Sequence, residues 1–300
     1  MGEPFKNLIH AGLVRTAGQH LQRVWPEFER RRFERLAIDG LDALELKARV
    51  RHVAAALEAT LPPAFAEAAS VLERSLAPAR LDTDLSAMRS GPQGLAGWAV
   101  WPMTEFVARR GLGEPVRALA ALHAMTQRST AEYAVRPFLQ QHTELAFATL
   151  RTWVADPNPH VRRLVSEGSR PRLPWGMQLG MLIADPTPTL PLLEVLQHDA
   201  SDYVRKSVAN HLNDIAKDHA DVVAAWLERH LPGASRELTA LLRRASRTLV
   251  KRGDARVLAA WGIGRKLQGT ASLRVRPKRA AVGGEIELRV ALRSTARRAQ

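Results

Sequence analysis

Two glutamates in this chain have the neighbours that could do chemistry. Glu167 opens the run Glu167-Gly-Ser-Arg170-Pro-Arg172-Leu-Pro-Trp175, which puts a carboxylate, two guanidiniums and an indole within nine residues. Pro171 and Pro174 restrict the backbone between them. Glu132 lies 35 residues earlier, in Ser129-Thr130-Ala-Glu132-Tyr-Ala-Val-Arg136-Pro-Phe138. Two carboxylates beside an aromatic on a basic surface would suit cleavage of an N-glycosidic bond. That reaction passes through an oxocarbenium-like cation, which one carboxylate can stabilise while another orients water. Plainer readings stand beside this one. Glu167 is spaced for an i,i+4 pair with Arg163, and Trp175 could fill a core. Ser129-Thr-Ala-Glu132 has the pattern of a capping box, and Glu132 could pair with Arg136.

The elements that must hold these residues show themselves as a repeat. Asp156-Pro-Asn-Pro-His-Val161-Arg-Arg163-Leu-Val165 is echoed 43 residues later by Asp199-Ala-Ser-Asp-Tyr-Val204-Arg205-Lys-Ser-Val208. A period of roughly 40–47 residues built of helix pairs marks HEAT or armadillo-type solenoids. One pair cannot bury its own apolar face, so it stacks on its neighbours and the stack presents a concave surface. Aligned on the valines, Glu167 falls where the next repeat has Asn210, so the repeat itself does not call for an acid there. The periodicity predicts helices over 8–21, 26–36, 40–61 (ended by Pro62-Pro63), 64–76, 102–110 and 115–127, with another starting near 129–130. More follow over 142–155, 160–168, 175–183, 188–197, 201–217, 219–230, 235–251 and 254–262. Residues 77–98 read as a long connection, a kind of segment often tied to function. The chain is therefore expected to be all-α to residue 268. Alternation at 272–276 and 285–292 predicts two strands, the cut-short start of a small β-sandwich or a loosely docked tail over 269–300.

Composition narrows the class. The net charge is +14, and arginine supplies 37 of the basic residues against 7 lysines. A field of this sign attracts polyanions, and arginine grips phosphate with two donors at once. There is no cysteine, which removes disulfides, thiol catalysis and thiolate metal sites. The ten histidines are scattered and read as structural or surface groups. No phosphate-binding glycine motif, nucleophile elbow or paired-histidine metal helix is present. No apolar run reaches the ~20 residues of a membrane span and no signal-peptide core precedes residue 30, so a cytoplasmic protein is expected.

The residues also resemble a known family, the DNA alkylation repair glycosylases built from HEAT-like repeats, in their AlkC-like branch. The likeness runs from Glu3-Pro-Phe-Lys-Asn-Leu8 through Gly40-Leu-Asp-Ala-Leu-Glu-Leu-Lys-Ala-Arg-Val50, Gly97-Trp-Ala-Val-Trp101-Pro102 and Ala131-Glu132-Tyr-Ala-Val-Arg136-Pro-Phe138. It continues through Val161 to Trp175, Tyr203 to Asp214 and Arg243 to Asp254. The most specific piece is Ser166-Glu-Gly-Ser-Arg-Pro-Arg-Leu-Pro-Trp175. The resemblance implies a bacterial, nucleoid-associated monomer acting on double-stranded DNA. Its substrates would be cationic N-alkylated bases such as 3-methyladenine, with 3-methylcytosine a second candidate. It implies no cofactor and no metal. The family's catalytic carboxylates map onto Glu132 and Glu167. The lesion and DNA contacts are expected at Trp101, Arg136, Arg163, Arg170, Arg172, Trp175, Arg205 and Asn210, with Arg163, Arg170 and Arg172 on phosphate. An immunoglobulin-like domain would begin after residue 269. Two rivals keep the basic face without the chemistry: a non-catalytic HEAT-repeat DNA-binding protein, and a solenoid that binds an acidic protein.

Overall fold

The computed structural model describes residues 4–84, 87–263 and 268–295. Glu3, where the likeness begins, and residues 264–267, at the expected domain boundary, lie outside them. The described residues to 263 are helical, with short 3-10 turns and two isolated bridges. Helix α1 is Ala11–Val24, α2 Arg30–Ile38, α3 Leu46–Glu58 and α4 Phe65–Arg74. After the long connection come α5 Val100–Arg110, α6 Pro115–Thr126, α7 Arg136–Gln141 and α8 Thr143–Trp153. The repeat region holds α9 Pro159–Gly168, α10 Gly180–Ala184, α11 Leu190–Leu196, α12 Asp202–Ile215 and α13 Ala220–His230. Helices α14 Arg236–Ala245, α15 Arg247–Arg252 and α16 Ala255–Ala260 close the body. One continuous apolar core runs from Ile9 to Val257. No helix among the described residues is long and apolar enough to cross a membrane.

The 43-residue echo is a physical repeat. Helix α9 packs on α12, and α12 packs on α14. Val161 and Val204 are both fully buried. The turn before each helix is closed the same way: Asn158 N donates to Asp156 Oδ1 at 2.8 Å, and Ser201 N to Asp199 Oδ1 at 2.8 Å. The repeat arginine then holds that turn. Arg162 Nη1 donates to the carbonyls of Asp156 and Pro157 at 2.8 and 3.1 Å, and Arg205 Nη1 to those of Asp199 and Ala200 at 2.6 and 2.8 Å. Arg162 also reaches forward to Asp199 with Nε at 2.6 Å and Nη2 at 3.0 Å, stapling one repeat to the next.

The long connection is tied to these helices. Arg128 Nε donates to Ala77 O at 2.6 Å, Asn158 Nδ2 to Arg80 O at 2.8 Å, and His160 Nε2 to Asp82 O at 2.8 Å. It ends at Gly97, whose φ is 64° and whose N–H donates to Arg128 O at 2.8 Å. Beyond the body, strands Gly269–Arg276 and Glu287–Ser294 form one antiparallel hairpin, with Leu273 opposite Val290 and Val275 opposite Leu288. Both strands are exposed along their whole length, so the hairpin is a two-stranded ribbon.

Three expected elements differ. Residues 175–179 are not helical: Trp175 takes a left-handed φ of 63°, which keeps it out of a helix, and α10 starts only at Gly180. The stretch 235–251 is two helices broken at Ser246, whose Oγ donates to Leu242 O at 2.9 Å and accepts from Trp261 Nε1 at 3.0 Å. Ser129–Glu132 is a turn before α7 rather than a capping box, since the Glu132 carboxylate is drawn to Arg163 instead of back to the helix start.

A methyl group at position 97 would sit in left-handed backbone and collide with the Met88 carbonyl oxygen. Gly97→Ala should therefore lower unfolding stability by about 2 kcal/mol or more, read from urea unfolding.

Candidate active site

Helix α9 is amphipathic, with Val161, Leu164 and Val165 on its core side. That placement puts Arg163 and Glu167, one turn apart, on a flank facing the Ser129–Val135 turn and α12. The result is an alternating chain of charges. Arg163 Nη1 meets Glu132 Oε2 at 2.7 Å, and its Nη2 lies 3.6 Å from Glu167 Oε1. Arg170 Nη1 donates to the same Glu167 oxygen at 2.6 Å, while its Nε and Nη2 reach Asp214 Oδ2 at 2.8 and 2.7 Å. Lys217 Nζ ends the chain on Asp214 Oδ1 at 2.9 Å. The other Glu167 oxygen accepts from Ser207 Oγ at 2.6 Å, and Thr130 Oγ1 donates to Glu132 Oε2 at 2.8 Å.

Burial works to raise the Glu167 carboxyl, but Arg163, Arg170 and the Ser207 hydroxyl outweigh it and hold the group below the usual carboxylate range. Burial opposes the charge on Arg163, and Glu132, Tyr203 and Glu167 together push its proton affinity above normal. Among the described residues no cluster of acids, histidines or cysteines has the makings of a metal site.

Aromatic rings stand over the acids. Tyr133 stacks on Trp101 with centroids 5.4 Å apart and an interplanar angle of 22°, and Trp98 lies 5.7 Å beyond Trp101. Arg163 rests 5.1 Å over the Tyr203 ring. Trp98, Trp101, Tyr133 and Trp175 line a cleft of about 230 Å³, and Thr130 and Glu132 form its polar wall. Trp101, Tyr133 and Trp175 also line a second cleft of similar volume that contains Lys47, Arg51 and Glu105. Trp175 is 62% exposed. A bulky side chain with positive φ is strained and persists only where its surroundings fix it.

Those surroundings are carbonyl bonds. Lys47 Nζ donates to Trp175 O. The fully buried Arg136 donates from Nε to Met177 O at 2.6 Å, and from Nη1 to Gly168 O and Arg170 O at 2.8 Å each. Burial, then the charge of Arg170, lowers its pKa to about 10, well above neutrality, so it stays charged.

The expected residues thus fall into groups. Glu132, Trp101 and Trp175 line the cleft, and Glu167 and Arg163 sit against its polar wall. Arg170 is 7% exposed and its guanidinium faces Glu167 and Asp214. Arg172 is bidentate to Asp218 at 2.7 and 2.8 Å. Arg136 is a loop clasp, and Arg205 holds its own helix turn. Asn210 accepts from Arg244 Nε at 3.0 Å, and Arg244 lines a groove between α12 and α14 with Arg205, Lys206, Arg236 and Arg243 and the acids Asp202 and Glu237. Sequence reasoning missed Tyr133, Tyr203, Ser207 and Asp214. All four lie within segments that carried the likeness, but nothing in their spacing marked them. Tyr203 is the repeat counterpart of His160, and the two rings meet edge to face at 5.4 Å.

Residues 124–249 match the family model described as DNA alkylation repair enzyme. The chain is 37% identical over 288 residues to the uncharacterized protein YhaZ of Bacillus subtilis (strain 168), covering 94% of itself and 75% of YhaZ. A solved structure, the Pseudomonas fluorescens alkylpurine DNA glycosylase AlkC bound to DNA containing an abasic site analog, is similar with a TM-score of 0.85 and 33% identity. It covers 98% of this chain and 78% of AlkC.

Replacing Arg136 by methionine would strand the three carbonyls it serves. Each buried, unpaired acceptor costs about 1–3 kcal/mol, so Arg136→Met should lose several kcal/mol in urea unfolding. In whatever fraction still folds, Trp175 should be cut or quenched more readily than in the parent, which limited proteolysis and acrylamide quenching would read.

Proposed function

We propose that this chain, which belongs to the DNA alkylation repair enzyme family, is a glycosylase that hydrolyses the N-glycosidic bond of bases made cationic by N-alkylation. 3-Methyladenine is the first candidate and 3-methylcytosine the second. The observation that carries this reading is the pair of carboxylates, Glu132 and Glu167, sharing Arg163 at the wall of an aromatic cleft.

The chemistry fits a site of this kind. An alkylated base already carries a positive charge and leaves as a neutral molecule, taking the bonding electrons from C1′. The sugar is left as an oxocarbenium ion, and water adds at C1′ and loses a proton to solvent. What the protein must supply is negative charge near C1′ in a site poor in water, where it acts strongly. In this reading Glu132 faces that cation, and Glu167, one guanidinium away, adds to the field. Trp101, Tyr133 and Trp175 offer ring faces to a cationic base, which aromatic quadrupoles attract. Lys206, Arg236, Arg243 and Arg244 on the groove beside α12 and α14 are suited to flanking phosphates. Arg170, Arg172 and Arg205 hold protein groups and are reserved for the fold in this reading.

AlkC, 33% identical to this chain, is described as an alkylpurine DNA glycosylase, which favours the glycosylase over a solenoid that only binds DNA or an acidic protein. The test is single-turnover release of methylated bases from alkylated duplex DNA, run beside a binding titration. Glu132→Gln and Glu167→Gln should each lose about 10²–10³ in rate, or ~3–4 kcal/mol, with DNA affinity near the parent's or higher. Glu167→Gln needs a folding control, because it leaves Arg170 facing an amide. Near-normal release by both variants would rule the mechanism out, and no release by the parent would favour a protein that only binds DNA.

A further inference from the structure

Glu132 and Glu167 lie close enough to share one guanidinium, and such a pair normally shares something else. Two carboxylates at one site repel each other, and the pair relieves the repulsion by holding one shared proton to a higher pH than a lone carboxyl would. A shared proton makes one member a carboxylic acid, able to protonate a leaving group. Here the space between them is filled by Arg163, with one fork arm 2.7 Å from Glu132 and the other 3.6 Å from Glu167. Its side chain is only 15% exposed, and it is seated on the Tyr203 ring and donates to Thr130 Oγ1 at 3.0 Å.

We propose that Arg163 is a positioning and specificity residue: its fork sets one arm on each glutamate and fills the place a shared proton would take, so the site has no proton to give. The inference rests on the glycosylase reading above. Arginine supplies, as a permanent charge, the cation that the pair would otherwise take from water. A site without a proton cannot assist a neutral base to leave, so only bases that arrive charged are released.

The other groups facing the pair agree with this. Tyr133 is pushed up to about 12, by burial first and the Glu132 charge second, so its phenol is a poor acid. Burial raises Tyr203 as well. His160, edge-on to Tyr203, is lowered by burial, and His211 beneath α9 is lowered by burial to about 4, so both imidazoles are neutral at pH 7. Arg170 is already committed to Glu167 and Asp214, and Lys217 to Asp214.

The experiment is the pH profile of single-turnover base release from methylated duplex DNA, between about pH 5.5 and 8.5. The parent should be flat within about twofold. In Arg163→Gln the pair regains its proton, and the rate should climb at least about tenfold across the range, since one titrating group gives tenfold per pH unit below its pKa. Arg163→Lys keeps the charge without the fork and should restore a flat profile at a lower rate. A flat profile for Arg163→Gln, whatever its rate, overturns the proposal. Carbon-13 NMR of glutamate carboxyls in the parent protein gives a second reading that needs neither activity nor a folded Arg163→Gln. No carboxyl signal that disappears in Glu132→Gln or Glu167→Gln should titrate above about pH 6, and one that does overturns the proposal. If the parent releases no methylated base, the glycosylase reading fails, and the NMR titration still decides the role of Arg163.

Discussion

Glu132, Arg163, Glu167, Arg170, Asp214 and Lys217 form a line of charges that alternates in sign from one side chain to the next, most of it buried. A buried charge without a partner costs several kcal/mol, so each member depends on its neighbours being in place. The line crosses from the turn before α7, through α9 and the segment after it, to α12. It therefore fixes how the two repeats sit on each other at the point where the chain departs from the repeat. Where the next repeat has Asn210, turned towards Arg244, this one has an acid turned inward. The exchange of an amide for a carboxylate sets this repeat apart from its neighbour.

The aromatic cleft depends on that same frame through backbone contacts. Arg136 and Lys47 hold the carbonyls around Trp175, and Gly97 lets the chain pass beneath the Met88 carbonyl to deliver Trp98 and Trp101. The acids are anchored by side chains and the rings by main chain, so the two halves of the site can be perturbed separately. The cations that look most available by composition are largely spoken for. Arg162 and Arg205 close helix turns, Arg170 and Arg172 hold acids, and Arg136 holds a loop. On the groove between α12 and α14, Arg236, Arg243 and Arg244 remain to meet a polyanion, beside Asp202 and Glu237.

Much of this was legible in the residues. The echo between Asp156 and Asp199 carried the helix-pair architecture, because the turn chemistry and the buried valine recur together. Glu167 was visible as the acid its repeat did not require. What stayed hidden was direction. Spacing showed that Glu132 could face Arg136, but not that Arg136 would turn to three carbonyls and leave Glu132 to Arg163. Charge counting showed a basic protein, but not that several arginines were bound inward, since partners 30 to 45 residues away are set by tertiary packing. The first part of the helix predicted over 175–183 is absent, residues 175–179 being tied instead by bonds from Lys47 to Trp175 O and from Arg136 to Met177 O.

The central claim is electrostatic: the site is built for a positive charge at the sugar. It is tested most directly by comparing affinity for two duplexes that differ only in one abasic analog, a cationic pyrrolidine or a neutral tetrahydrofuran. Mimics of a transition state bind enzymes about 10²-fold or more tighter than ground-state ligands. The account predicts a preference of that order for the cationic duplex, largely lost in Glu132→Gln. Equal affinity for the two, or a preference that survives the loss of both glutamates, would contradict it.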